Sequence, residues 1–377
     1  MEHHEHVEPG DDHSAEALTI EMLPAKHGDC LLLSYPNDAS RGRILVDVGP
    51  VTAWPDIEPI LRRQLDGAAT IELFVVTHVD TDHIEGALKL RQHGLGGVGF
   101  GDTWFNGYEH LAGDGVGDKR GGVQGEFLHA LLQGSPRNLA FDGRSVGLWE
   151  DDELAFVETA EPDAGEIAFT ILSPGRRQRR KMATAWERAC KEANVPIGDT
   201  ERVLQLLAED QRYSVEDRGK ETDVTYGKDS SAANGSSIAF LLERAGCRVL
   251  LTGDAHAEVL TASIKRLLQL RSEPQLRVDA WKLAHHGSRY NITPELLQLI
   301  ECDTYLVSTN GDQFRHPDPG TIGLIAEHGA SRGVKPTVLF NYRSATTEPF
   351  ASDGRITARY GEAGYASLRL AARVPGT

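Results

Sequence analysis

Four side chains of metal-binding type lie within six residues of the segment THVDTDHIEG: His78, Asp80, Asp82 and His83. An apolar, strand-like segment precedes them, and a segment with helical spacing of apolar residues follows. In an extended backbone, residues two apart point the same way, so His78 and Asp80 can bind one ion while Asp82 and His83 turn toward a second. This loop alone predicts a centre for one or two metal ions.

Two later segments place similar side chains at the ends of apolar strands. In LLTGDA, Asp254 follows a strand, where its carboxylate could bridge two ions. In KLAHHGS, side chains alternate across the strand, so only one histidine of the pair should face the metals. His285 is the predicted ligand, and His286 is left to contact the substrate. The predicted metal ligands are therefore His78, Asp80, Asp82, His83, Asp254 and His285.

Divalent ions held in this way lower the pKa of a bound water, so that hydroxide can attack an electrophilic phosphorus or carbonyl carbon. Asp82 or Asp254 could orient that water. His316, or the histidine of the pair that is not a ligand, could donate a proton to the leaving group. The predicted reaction is a hydrolysis.

Strands and helices alternate around these segments. Short β-rich segments begin at residue 17, and the later strands each lead into a helix, which predicts an α/β fold with two sheets covered by helices. Residues 101–150 are glycine-rich and are expected to form a loop with one helix near 127–132. Residues 176–228 are charged and have helical spacing, so they are interpreted as a helical insertion. The domain is predicted to span 17–372, after a disordered acidic tail at 1–16.

The chain carries a formal net charge of −17, with 56 acidic and 39 basic side chains. Such a protein repels polyanions unless a local patch attracts them, and the one strong basic run is RRQRRK at 176–181. The charge favours a small phosphodiester or nucleotide over nucleic acid. No apolar run approaches the ~20 residues of a membrane span, and the N-terminus does not resemble a secretory signal. A cytoplasmic protein that does not bind a membrane is expected, with its oligomeric state open.

The motifs HxDxDH, GD and HHGS, in this order, resemble those of the metallo-β-lactamase superfamily. More narrowly, AKHGDCLLL followed by ILVDVG, with Asp47 in the latter, is similar to the branch that includes the nuclease-like domain of the DNA-uptake protein ComEC. The late segment LVSTNGDQFRHPDPGTI, which contains His316, is also similar to that branch. The resemblance covers about residues 17–345, apart from the insertion. It implies an αββα four-layer sandwich with the metals at one edge of the sheets.

Two departures from the superfamily pattern affect the predicted chemistry. Asp80 replaces a histidine, and a carboxylate shifts the preference toward manganese, iron or magnesium, although zinc remains the first expectation. The chain also has no histidine between His129 and His256, where lactamases and lactonases supply another ligand. The ComEC-like branch carries an Asn/Ser motif there, which implies that Asn234 and Ser236 lie near the site. A phosphodiesterase is therefore predicted, with a lactonase, thioesterase or β-lactamase-like hydrolase as the alternative.

Overall fold

The computed structural model of the chain describes residues 16–37, 40–111, 122–149, 152–159, 167–210 and 231–373. The first β-sheet has the strand order β16, β1, β2, β3, β4, β5. Neighbouring strands are antiparallel from β16 to β3 and parallel from β3 to β5. The strands are β1 (Glu16–Met22), β2 (Leu31–Asn37), β3 (Ser40–Val46), β4 (Thr70–Val75), β5 (Gly99–Trp104) and β16 (Ala366–Ala371).

The second sheet has the order β15, β14, β13, β11, β9, β8, β7, β6, with parallel pairing from β15 to β9 and antiparallel pairing from β9 to β6. Its strands are β6 (Ala155–Thr159), β7 (Ile167–Ser173), β8 (Ala239–Arg244), β9 (Cys247–Leu251), β11 (Ala280–Lys282), β13 (Thr304–Val307), β14 (Thr337–Phe340) and β15 (Thr357–Tyr360). A separate parallel pair is formed by β10 (Leu276–Val278) and β12 (Ile300–Cys302).

The α-helices of the described residues follow in chain order. They are α1 (Trp54–Gln64), α2 (Thr81–His93), α3 (Tyr108–Leu111), α4 (Gly122–Leu131), α5 (Arg176–Glu192), α6 (Thr200–Glu209), α7 (Ala232–Gly235), α8 (Ala257–Arg271), α9 (Pro294–Gln298) and α10 (Pro319–Ser331). None of them combines the length and the apolar character that crossing a membrane requires.

Three apolar layers join these elements. One, which includes Leu88, lies between the first sheet and helices α1, α2, α4, α5 and α6. The second, which includes Phe240, lies between the two sheets, and the third, which includes Ile264, lies between the second sheet and helices α8 to α10. A sheet can bury both faces only if something covers each of them. The helix, sheet, sheet, helix order confirms the predicted αββα sandwich.

The alternation of side chains along β4 shows how this strand is buried on both faces. Leu73 and Val75 enter the layer between the sheets, whereas Phe74 packs under the helices. At the end of β4, α2 packs close to the loops that precede it in the chain. A Cβ atom on Gly28 would lie 1.8 Å from the carbonyl oxygen of Asp82, and one on Gly86 would lie 2.1 Å from that of Val48. Only glycine permits these approaches.

Within the predicted insertion, the described residues form helices α5 and α6. Residues 211–228 of the insertion lie outside the described residues, and so do residues 1–15 of the predicted tail. The insertion is tied to α4 by a buried carboxylate. Glu126, 1% exposed, accepts hydrogen bonds from Trp186 Nε1 at 2.9 Å and from the backbone N–H of Gly198 at 2.7 Å.

The prediction that residues 101–150 are a loop with one helix is wrong at its start. Residues 99–104 form strand β5, which pairs with β4, and Tyr108–Leu111 form the short helix α3. Glycine-rich sequence favours loops, but at this edge the backbone of β4 supplies the hydrogen-bond partners that make a strand. The helix expected near 127–132 is confirmed as α4.

We expect Glu126→Ala to lower the free energy of unfolding by about 1–3 kcal/mol, because it leaves the buried indole N–H of Trp186 without an acceptor and removes the bond to the backbone N–H of Gly198. The matched control is Glu192→Ala on the exposed face of α5, where only an exposed i,i+4 ion pair with Arg188 is lost. Such pairs contribute about 0.5 kcal/mol or less. Urea unfolding followed by circular dichroism measures both. Equal stability of the two variants would contradict this role of Glu126.

Candidate metal centre

The loops that follow β4, β9 and β11 meet at one edge of the sandwich. Backbone hydrogen bonds hold them together: Ile238 N–H donates to the carbonyl oxygen of Thr77 at 2.8 Å, and His285 N–H donates to that of Gly253 at 3.0 Å. The first bond links the two sheets, since Thr77 follows β4 and Ile238 precedes β8. The predicted ligands from three distant segments are thereby brought to one place.

The carboxylate of Asp254 lies at the middle of this site, with its side chain 3% exposed. Its Oδ1 is 3.5 Å from His83 Nε2. Its Oδ2 is 3.8 Å from His78 Nε2, 3.7 Å from His285 Nε2 and 3.9 Å from His286 Nε2. Four imidazoles therefore present the same ring nitrogen to one carboxylate.

Asp47 determines which nitrogen two of these rings present. His83 Nδ1 lies 2.8 Å from Asp47 Oδ2, and a carboxylate oxygen can only accept, so this nitrogen carries a proton. Thr77 Oγ1 donates to the same oxygen at 2.6 Å. The hydroxyl of Thr77 must then accept from His78 Nδ1, 3.0 Å away. Both rings thus turn Nε2 toward Asp254, the arrangement that outer carboxylates impose on metal-binding histidines.

The other two rings are oriented by oxygen acceptors in the second half of the chain. His286 Nδ1 donates to the carbonyl oxygen of Ser308 at 2.8 Å. His285 Nδ1 donates to Asn291 Oδ1 at 3.2 Å, and the amide of Asn291 is itself held because its Nδ2 donates to the carbonyl oxygen of Asp254 at 3.1 Å. Each ring again has Nε2 on the side of Asp254.

These groups fit a bound cation. Four buried atoms have no hydrogen-bond partner among the described residues: His78 Nε2, His83 Nε2, His286 Nε2 and Asp254 Oδ1. Buried polar atoms without partners are costly, and acceptor atoms that face one another at this range also repel. A divalent cation removes both costs, and imidazole nitrogen with carboxylate oxygen is a common donor set for zinc.

The possible ligand atoms form three groups that share His83. In the third, Asp29 and Asp47 already contact Lys282 and Thr77, so two groups remain for a cation. Within each group the atoms lie within 4.8 Å of one another. The first group is His78, His83 and Asp254; the second is Asp82, His83 and His286. The arrangement can therefore hold one ion, or two neighbouring ions.

The electrostatics of the cluster are dominated by its carboxylates. Burial works to lower the pKa of His83, but Asp254, Asp47 and Asp82 raise it well above its ordinary value. Burial, together with the charges of Asp82 and Asp254, raises the pKa of Asp80 to about 7. A cation among these groups supplies the positive charge that protons otherwise provide.

The two halves of the THVDTDH loop point to different parts of the cluster. Asp80, with 27% of its side chain exposed, has Oδ2 3.8 Å from His78 Nε2. Asp82 Oδ2 lies 3.4 Å from His286 Nε2 and 3.9 Å from His83 Nε2. His83 lies between the two sides rather than on the side of Asp82 alone.

The prediction that only one histidine of the HHGS motif faces the cluster is wrong. Strand β11 ends at Lys282, and the two histidines adopt left-handed backbone, with φ of 48° at His285 and 53° at His286. Alternation applies only to extended backbone, so both rings reach Asp254. The His286 side chain is fully buried, whereas 20% of the His285 side chain is exposed. This geometry favours His286 as a ligand and places His285 nearer to solvent.

Three predicted site residues are not metal ligands, and they differ in how close they lie to the cluster: Asn234, Ser236 and His316. Asn234 Nδ2 lies 3.4 Å from His285 Nδ1. Ser236 Oγ instead donates to the carbonyl oxygen of Ala233 at 2.7 Å, which closes α7, and it is Ser237 Oγ that accepts from the backbone N–H of Asp254 at 3.2 Å. His316 lies at the edge of the cluster: its ring centroid is 5.3 Å from that of His285.

Sequence reasoning missed a buried ion pair next to His286. Lys282 Nζ lies 2.6 Å from Asp29 Oδ2, with 1% and 2% of the two side chains exposed, and Asp29 Oδ1 lies 3.4 Å from His286 Nδ1. Burial works to raise the pKa of Asp29, but Lys282 and His286 lower it below its usual range. A lysine inside the apolar segment VDAWKLA was the available signal, because lysine is rarely buried without a partner.

No family model matches the sequence. ComE operon protein 3 of Bacillus subtilis (strain 168) is 24% identical over 141 residues, which are 37% of this chain and 16% of that protein. Among solved structures, the metallo-β-lactamase fold protein YhfI from Bacillus subtilis is 9% identical with a TM-score of 0.38, over 94% of this chain and 100% of that one. Zn²⁺-bound PqqB from Methylobacterium extorquens is 13% identical with a TM-score of 0.39, over 94% and 100%. CmlA, a diiron β-hydroxylase from Streptomyces venezuelae, is 12% identical with a TM-score of 0.39, over 94% and 55%.

The four layers have the order of the metallo-β-lactamase fold, and the His and Asp side chains gathered at the ends of β4, β9 and β11 could hold metal ions. The similarity to ComE operon protein 3 supports the predicted resemblance to the ComEC-like branch. The chain spans 16% of the length of that relative, so the similarity concerns one part of it.

We expect Asp254→Ala to reduce bound metal to near background, because the substitution removes the carboxylate that faces all four imidazoles. Elemental analysis after dialysis against zinc or manganese measures the metal content, and thermal unfolding checks the fold. Asp142→Ala is the control, since this side chain is 86% exposed and lies outside the cluster. Equal metal content in the two variants would refute the ligand assignment.

Thr77→Val should weaken metal binding by about 10- to 100-fold, the usual effect of losing an outer partner of a ligand. It removes the hydroxyl through which Asp47 orients His78 and keeps the shape of the side chain. The matched control is Thr103→Val in the neighbouring strand β5, where the buried hydroxyl has no hydrogen-bond partner in the part of the chain that the structure describes. Competition with a zinc chelator gives both affinities. The role of Thr77 is contradicted if both variants bind zinc as the wild type does.

Proposed function

We propose that this protein is a metal-dependent phosphodiesterase that acts on a nucleotide or another small phosphodiester. The observation that carries the proposal is the central position of Asp254, whose carboxylate lies within 3.9 Å of four imidazole Nε2 atoms and so faces histidines of both ligand groups. Two neighbouring ions held by these residues would stabilise both the attacking and the leaving oxygen of a displacement at phosphorus. Zinc is the first candidate ion, with manganese or iron as alternatives because three aspartates border the site.

The residues of this chain have distinct parts in the proposed reaction. When bound, the ions would supply an activated water and would stabilise negative charge on the substrate. Asp82 and Asp254 hold the cluster and orient the water. His285 and His316, with 20% and 11% of their side chains exposed, lie at the opening, where a proton can pass to the leaving group.

The stretch between His83 and Asp254 favours phosphorus over carbon as the site of attack. In this stretch of sequence, lactonases and lactamases carry a histidine ligand. In this chain the stretch instead contributes Asn234, whose amide nitrogen lies 3.4 Å from His285 Nδ1. Without that extra histidine, an ion held by His78, His83 and Asp254 would have fewer protein ligands than in those enzymes. More of its coordination positions would then be open to phosphate oxygens. A carbon-centred hydrolase would use the same ions, so the choice is made by a substrate test.

Charge favours a small substrate, and the structure reduces the part that the basic run can play. Arg179 Nη1 donates to the carbonyl oxygens of Leu148 and Pro174, both at 2.9 Å, so this arginine supports the fold. Arg176 and Arg177 at the start of α5 are exposed. With a net charge of −17, two exposed arginines are a weak attraction for a long polyanion.

The proposal is tested with protein loaded with zinc or with manganese. Bis(p-nitrophenyl) phosphate, a cyclic dinucleotide, single-stranded DNA and a lactone are the substrates, and Asp254→Ala is the inactive reference. We expect metal-dependent hydrolysis of the phosphodiesters and little hydrolysis of the lactone. Efficient hydrolysis of the lactone alone would show that the carbon-centred alternative is correct.

Two measurements test the size of the substrate: the salt dependence of turnover, and the effect of removing the exposed arginines at the start of α5. Binding through several phosphates weakens steeply with salt, whereas a small diester held at the metals should show a shallow dependence. Arg176→Ala/Arg177→Ala should leave turnover of the small diester unchanged, as should the charge-matched control Arg188→Ala/Arg202→Ala. Rapid cleavage of long single strands that falls steeply with salt, and is lost only in the first variant, would identify a nuclease instead.

A further inference from the structure

Phe314 is a half-buried aromatic side chain beside the metal centre. In the part of the chain that the structure describes, it is not packed against any of the three apolar layers. Its ring neighbours are imidazoles: the centroids of His27 and His316 are each 6.2 Å away, and that of His285 is 6.5 Å away. An aromatic ring that contributes to none of these layers but borders the centre is placed to contact a ligand.

The backbone next to this ring group is strained. Lys26, beside His27, has φ of 56°, and Arg315, between Phe314 and His316, has φ of 55°. Left-handed backbone is disfavoured for residues other than glycine, and it persists near functional sites when surrounding contacts hold it. The contacts here are hydrogen bonds from the backbone N–H of Asn310 to the carbonyl oxygen of Lys26, 2.8 Å, and from that of Arg315 to the carbonyl oxygen of Gly311, 3.1 Å.

We propose that His27, Phe314 and His316 form a stacking site for a nucleobase, so that the substrate is a nucleoside phosphodiester with its phosphate at the metal centre. This inference rests on the proposed phosphodiesterase function. The ring of His285 connects the two parts, because it neighbours Phe314 on one side and Asp254 on the other. A base on Phe314 would then lie one imidazole ring away from the cluster.

The surroundings of Phe314 favour a base over an acyl chain. An acyl group is best covered by aliphatic side chains, whereas the ring neighbours of Phe314 are three imidazoles. Aromatic and imidazole rings stack on any base, because every base has a π-face.

Two substrates with the same leaving group isolate the contribution of the base. Thymidine 5′-(p-nitrophenyl phosphate) and methyl p-nitrophenyl phosphate both release p-nitrophenolate, and they differ in the nucleoside. We expect the wild type to prefer the thymidine ester in kcat/KM. We expect Phe314→Leu to reduce the ratio of the two kcat/KM values by about tenfold, the scale of one lost base stack. Calorimetric binding of thymidine 5′-monophosphate should weaken by a similar factor.

Phe156→Leu is the matched control, because Phe156 is 53% exposed on β6, at the far edge of the second sheet. It should leave the ratio unchanged. Phe314→Tyr retains a ring that can stack and should keep the preference, which separates lost stacking from damaged folding. An unchanged ratio in Phe314→Leu, with hydrolysis of both esters intact, overturns the stacking site alone. Failure of the metal-loaded wild type to hydrolyse either ester overturns the phosphodiesterase proposal itself.

Discussion

The hydrogen bonds at the Nδ1 atoms of four histidines determine the rest of this site. Each bond fixes one ring so that Nε2 faces Asp254, and the acceptors come from separate places along the chain: Asp47 after β3, Thr77 after β4, Asn291 before α9 and Ser308 after β13. The cluster can therefore form only when both sheets are correctly packed. Four nitrogens held toward one buried carboxylate suit a bound cation, so we expect metal binding and folding to be coupled.

Three of the residues that build the cluster have left-handed backbone: Asp47, His285 and His286, with φ of 55°, 48° and 53°. Each such residue costs on the order of 1–3 kcal/mol, which local contacts must offset. At Asp47, hydrogen bonds from Thr77 and His83 to the carboxylate offset this cost. The two histidines use the strained turn to direct adjacent rings to the same side, which extended backbone cannot do.

This turn also explains which parts of the site the sequence could predict. His78 and Asp80 are two residues apart near a strand end, so local geometry was enough to place them together. The joint orientation of His285 and His286 depends on backbone angles that no local pattern revealed. The Lys282 and Asp29 pair joins residues 253 positions apart, and the role of Thr77 depends on Asp47, which follows another strand. Such pairings follow from the packing of the sheets, which composition and periodicity do not specify residue by residue.

The helical insertion belongs to the scaffold of the site rather than to an appended lobe. Helix α5 packs against α4 on one side and against α7 on the other, and α7 carries Asn234, the residue that approaches His285. Trp186 of α5 is fully buried, and a Cβ atom on Gly125 of α4 would lie 2.3 Å from its ring, so the two helices are closely packed. A displacement of α5 would therefore move α7 and, with it, Asn234. The insertion therefore supports the position of Asn234 beside His285.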